Sequence, residues 1–181
     1  MVRCFIALDL ESEELARNVN ALQTKLDSTN SRFRHVSPKL LHLTIQFLGE
    51  VPEPLINNVK SSLSSVHFKP ISIVLEGVGA FPSIRRPRVI WIGVSKGRDI
   101  LETLAKEVND ALLPLGYKPD KPFHPHLTVS RVKFVRDREK LTQILMEERS
   151  SKYGEVLTSP LRLKKSTLTP RGPIYETLYE V

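Results

Sequence analysis

The sequence predicts an α+β fold. Strand-like apolar runs and amphipathic helical stripes occur in one chain of 181 residues, the tail from about 155 to 181 is rich in strand patterns, and one tetrapeptide occurs twice, each time opening a strand. Hydrophobic residues make up 40% and charged residues 26%, an ordinary balance for a chain that builds a core. No Gly/Ser-rich linker divides the chain, so residues 1–181 are expected to form one domain.

Val2 to Leu10 reads as a strand. Residues 12 to 27 read as a helix, because Leu15, Val19, Leu22 and Leu26 fall on one stripe. Ser12 can cap it, and Glu13 and Glu14 suit its first turn. His42 to Leu48 is a strand closed by Gly49 and Pro52. A helix follows near 53 to 66, striped by Leu55, Val59, Leu63 and Val66. Ile71 to Val78 is a strand, Pro82 to Pro87 a basic loop, and Val89 to Ser95 a strand. The helix at about 98 to 114 carries Leu101, Leu104, Ala105, Val108 and Leu112. After a Pro- and Gly-containing loop to Pro125, His126 to Phe134 is a strand and 137 to 149 a helix. The β-rich tail breaks at Pro170-Arg171-Gly172-Pro173.

The repeated tetrapeptide carries the chemistry. His42-Leu43-Thr44-Ile45 recurs as His126-Leu127-Thr128-Val129, 84 residues later (126 minus 42). In a strand, residues i and i+2 share a face. Each copy therefore presents an imidazole and a hydroxyl on one side and packs aliphatic groups on the other. Two such faces turned together would surround a small anion, and a phosphate suits them. Histidine titrates near neutrality, so two imidazoles in one pocket can supply a base and an acid at one pH. Threonine hydroxyls can donate to phosphate oxygens as charge grows there.

The formal net charge is +7 and the sequence pI about 9.6, which favours polyanionic partners, nucleic acid foremost. The longest apolar runs, such as Val89 to Val94, are too short to span a bilayer. The acid-interrupted N-terminal run reads as a strand and not a signal peptide. Cys4, the single cysteine, cannot form an internal disulfide. A cytoplasmic protein is expected.

The paired H-x-T motifs, the first continuing Gln46-Phe47-Leu48-Gly49-Glu50 and the second preceded by Phe123-His124-Pro125, resemble the 2H phosphoesterase superfamily. Within it the chain is similar to the RNA 2′,3′-cyclic phosphodiesterases, also called 2′-5′ RNA ligases. The resemblance covers essentially the whole length, including the Arg86-Pro87-Arg88 segment and the Ser166 to Tyr175 tail. It implies a bilobal α+β fold in which two antiparallel sheets line a central cleft and helices cover the outer faces. It implies metal-independent, cofactor-free hydrolysis of RNA 2′,3′-cyclic phosphate ends to 2′-phosphomonoesters. His42 is then the general acid toward the ribose 3′-oxygen, His126 the general base on water, and Thr44 and Thr128 the phosphate holders. The same site would also join such an end to a 5′-hydroxyl, giving a 2′-5′ linkage. The implied partner is RNA with cyclic ends, tRNA fragments included, acted on by a monomer. Two alternatives stand beside this reading: another branch of the superfamily acting on small cyclic nucleotides or 2′-5′ oligoadenylates, and a non-catalytic RNA-binding module.

Further candidates for substrate binding are Arg131, Tyr175 and Arg88. Strict alternation puts Arg131 on the face opposite His126, so a bulge or the strand's end is needed to turn it inward. Arg85, Arg86 and Arg88 could hold the RNA backbone or form a solvated loop. Tyr175, just past the Pro-Gly-Pro break, could stack on a base. Gln46 shares the face of His42 and Thr44, whereas Phe47 alternates with Leu43 and Ile45 and is expected in the core. His124 is read as support for the start of the second motif strand, and His35 and His67 as surface or structural residues.

Overall fold

Thirteen helices and strands follow one another in the computed structural model, which describes residues 1–181. They are β1 (Val2–Asp9), α1 (Glu13–Asp27), β2 (Arg32–His35), β3 (His42–Val51), α2 (Ile56–Leu63), β4 (Ser72–Ser83), β5 (Arg86–Lys96), α3 (Arg98–Leu112), β6 (His126–Phe134), α4 (Arg138–Glu147), β7 (Lys152–Leu157), β8 (Arg162–Thr169) and β9 (Gly172–Glu180). Local chemistry accounts for the helices. The Ser12 hydroxyl accepts from the Leu15 amide at 3.2 Å and starts α1, whose apolar stripe is buried. The Asp137 carboxylate does the same for α4 through Lys140. Gly97, at φ +87°, takes the left-handed conformation that lets β5 turn into α3.

The strands form two groups, β3-β1-β8-β9 and β7-β4-β5-β6, antiparallel throughout, with β2 added to β6. The two groups meet where β3 and β6 pair, and that seam is a single residue pair, Leu43 with Leu127. The expected two sheets are thus joined into one nine-stranded sheet by that single pair. One lobe draws β1 and β3 from the beginning of the chain and β8 and β9 from its end, while in the other β4 to β7 follow one another in sequence and take in only β2 from outside. The helices cross over as well: α1 follows β1 yet packs on β7, β2 and β6, and α3 follows β5 yet packs on β3. Thirty-six buried side chains form one cluster beneath both lobes, so no apolar break separates them.

Three boundaries differ from the sequence reading. Arg32–His35 is a strand that the periodicity did not reveal, because four residues carry too little pattern. The segment Pro82 to Pro87 is not a loop but the end of a hairpin, with Pro82 opposite Pro87 and Ser83 opposite Arg86. Beyond Val89 the hairpin has outrun its neighbour strand β6, so Pro87 offers no missing donor to an adjacent strand on that side. Finally, β3 continues through Gly49 to Val51.

Candidate active site

The seam places the motif residues. Leu43 and Leu127 oppose each other and are fully buried on the helix-covered face. The pleat sends His42, Thr44, His126 and Thr128 to the other face, where all four are half-buried. Continuing the register one step each way brings His42 toward Thr128 and Thr44 toward His126. The two motifs thus share one cleft floor.

Each imidazole is held in the same way. His42 Nδ1 donates to the Leu40 carbonyl at 2.7 Å, and His126 Nδ1 to the His124 carbonyl at 2.6 Å. A carbonyl can only accept, so Nδ1 carries the hydrogen in both rings and Nε2 is the nitrogen left for substrate. Aromatic rings wall the imidazoles. Phe5 lies 5.3 Å from the His42 ring, and Tyr175 meets it edge-on at 5.3 Å. Phe81 meets His126 edge-on at 5.0 Å, with Trp91 at 6.1 Å. Burial is the main reason both imidazoles titrate below the ordinary 6.5, and the Arg131 charge pushes the same way. At His42 the Asp9 carboxylate opposes that drop.

A β-bulge follows the threonine in each motif. In β3, Ala7 pairs with Thr44 but Ile6 with Gln46, leaving Ile45 as the extra residue. In β6, Trp91 pairs with Thr128 but Ile90 with Ser130, leaving Val129 extra. A bulge reverses which face the following side chains take. Gln46 is therefore buried, and Phe47 lies 65% exposed beside Phe5 at 6.2 Å, the reverse of the expected arrangement. By the same reversal Ser130 is buried and Arg131 comes to the face of His126 and Thr128.

The β6 bulge is clamped from two elements. The Val129 carbonyl accepts from the Val36 amide at 3.0 Å and from Gln23 Nε2 at 3.0 Å, and Gln23 also donates to the Val36 carbonyl at 2.9 Å. Ser130 Oγ bonds His35 Nδ1 at 3.0 Å, and His35 Nε2 meets Asp27 Oδ1 at 2.9 Å. His35 thus belongs to a constellation that spacing alone did not disclose.

Charged groups stand beside the motif histidines as well. Asp9, opposite His42, receives Lys164 Nζ at 2.7 and 2.6 Å and Arg162 Nη1 at 2.8 Å. Burial raises the Asp9 pKa, but those hydrogen bonds outweigh it and hold the carboxyl below its ordinary range. Lys164 is only 8% exposed. An acid ending an apolar strand was the one visible signal for Asp9. Tyr175 touches His42 and lies under Lys164 Nζ at 6.0 Å from its ring centre, within the fields of Arg131, Arg3 and Arg34. Arg88 is not brought to the histidines. It lies in a separate cavity with Arg85, Arg86 and Arg138. His124 is packed against Trp91 at 5.0 Å, where its carbonyl orients His126.

Two carbonyl-oriented imidazoles with two threonines, at the floor of a cleft between helix-backed lobes, define a paired-histidine phosphoesterase. The chain belongs to the LigT-like phosphoesterase family, whose model matches residues 8–91 and, again, residues 92–175. Each match contains one H-x-T motif, so the 84-residue spacing is that of a unit present twice. The chain is 41% identical to an RNA 2′,3′-cyclic phosphodiesterase of Archaeoglobus fulgidus over 177 residues, 98% of each chain. It is 40% identical to one of Aeropyrum pernix over 161 residues, 88% of this chain and 92% of the other. Its fold matches that of E. coli LigT with a TM-score of 0.77 at 22% identity, over 99% of this chain and 96% of that one.

Proposed function

We propose that this protein hydrolyses RNA 2′,3′-cyclic phosphate ends to 2′-phosphomonoesters, with His126 as base and His42 as acid. The observation that carries the reading is the matched pair of imidazoles, each with Nδ1 committed to a carbonyl and Nε2 left for substrate. Water attacks phosphorus as His126 Nε2 takes its proton. The P–O3′ bond breaks, and His42 Nε2–H protonates the departing 3′-oxygen. Thr44 and Thr128 donate to non-bridging oxygens, and Arg131 balances the charge gathered there. Asp9, opposite His42, supports a proton there against the opposing charge of Lys164, and His126 has no such carboxylate. With a 5′-hydroxyl in place of water as the nucleophile, the same steps break P–O3′ and form a 2′-5′ linkage.

RNA as substrate class rests on the named relatives and on the +7 charge. We propose tRNA fragments among the substrates and a cytoplasmic monomer as the working form. No helix is long and apolar enough to cross a membrane. The test is turnover of a cyclic-ended oligonucleotide against 2′,3′-cyclic AMP, with a chelator present. Faster turnover of the oligonucleotide, unchanged by chelator, is expected. A clear preference for the mononucleotide favours the small-nucleotide branch, and binding without turnover favours an RNA-binding module.

A further inference from the structure

The β4–β5 hairpin ends in an arginine-lined cavity of about 590 Å³, built from Arg85, Arg86, Pro87 and Arg88 together with Val135 and Arg138 at the start of α4. Arg17, Arg98 and Arg162 each find a carboxylate, but none of these four does. Arg138 Nη1 donates to the Arg85 carbonyl at 2.6 Å, which ties α4 to the hairpin tip and fixes one guanidinium. The nearby Asp137 carboxylate is engaged with the Lys140 amide. Four cations around one concavity repel one another, and a bound anion relieves that repulsion. Guanidinium forks match phosphate oxygens in pairs.

The cavity stands in register with the cleft. Gly93 of β5 pairs with His126 and Val89 with Arg131. Arg88 lies five residues beyond Gly93, about 16 Å along the strand. Phe81, which touches His126, pairs with Val89, and two steps further the Ser83–Arg86 pair returns to the same face. Basic side chains therefore succeed one another from His126 through Arg131 to Arg86. At a stacked rise of about 3.4 Å, that distance spans about five nucleotides, and fewer in an extended strand.

We propose that this cavity binds a backbone phosphate of the RNA several nucleotides from its cyclic end, so that the protein recognises strand length as well as the end itself. The inference rests on the proposed function. The test is kcat/KM across cyclic-ended oligonucleotides from about two to about ten nucleotides, with 2′,3′-cyclic AMP as the shortest member. In the wild type, kcat/KM should climb with length and level off once the strand reaches the cavity. In the variant Arg85→Gln/Arg86→Gln, checked for an unchanged melting temperature, long substrates should lose about tenfold while the dinucleotide is unaffected, and the salt slope on long substrates should fall. Arg85→Lys/Arg86→Lys should recover part of the loss, since charge returns without the fork. Wild-type turnover flat with length, or a length dependence that survives in the Gln variant, overturns the inference alone. Absence of turnover on every cyclic end overturns the proposed function and this inference with it.

Discussion

At the residue scale, what matters is which nitrogen of each imidazole is available. The carbonyls of Leu40 and His124 hold Nδ1–H in both rings, which leaves Nε2 as the nitrogen open to a substrate. His42→Ala and His126→Ala should each lower kcat by at least about 10²-fold, with RNA affinity changed far less. Equal losses in binding and turnover would assign the rings to holding substrate only. The pH dependence follows from the depressed pKa values. In the free protein both imidazoles titrate below 6.5, so kcat/KM should be bell-shaped with its alkaline limb below neutrality. A bound phosphodiester anion favours the imidazolium, so the alkaline limb of kcat should lie at higher pH than that of kcat/KM. Coincident limbs would contradict this. The two histidines and two threonines were legible because the motif repeats. The Asp9–Lys164 pair was not, since it joins residues 155 positions apart.

At the scale of elements, the bulges decide which side chains enter the cleft. A bulge depends on pairing with a neighbour strand, so alternation along one strand does not reveal it. That is why Gln46 and Phe47 exchange their expected places, and why Arg131 reaches the face that strict alternation denied it. Gln23, a buried amide on an otherwise apolar helix stripe, is the sequence trace of the clamp on the β6 bulge. Gln23→Leu removes both of its bonds and leaves the Val129 carbonyl to the Val36 amide alone. It should cost about 1–3 kcal/mol in urea unfolding. If the bulge positions Arg131, the variant also raises KM more than it lowers kcat; an unchanged KM would separate the clamp from the site.

At the scale of the whole molecule, the family unit occurs twice, yet the two copies do not fold as two separate sheets. The order of strands and helices was readable from periodicity. The exchange of β8 and β9 into the lobe of β1 and β3 was not, because pairing over that separation leaves no local pattern. The exchange has a consequence for cutting the chain. Residues 1–118 lack the partners of β1 that come from the tail, and residues 119–181 lack β5. Each fragment alone should be unfolded by circular dichroism, and mixing them should restore structure and turnover. A folded, active fragment would show that the interleaving is dispensable.

The most direct test of the central claim is a crystal structure with a bound 2′-nucleotide monophosphate. It should place one phosphate within hydrogen-bond reach of Nε2 of both His42 and His126, with the Thr44 and Thr128 hydroxyls on its other oxygens. A phosphate touched by only one imidazole, or seated away from both, would contradict the account.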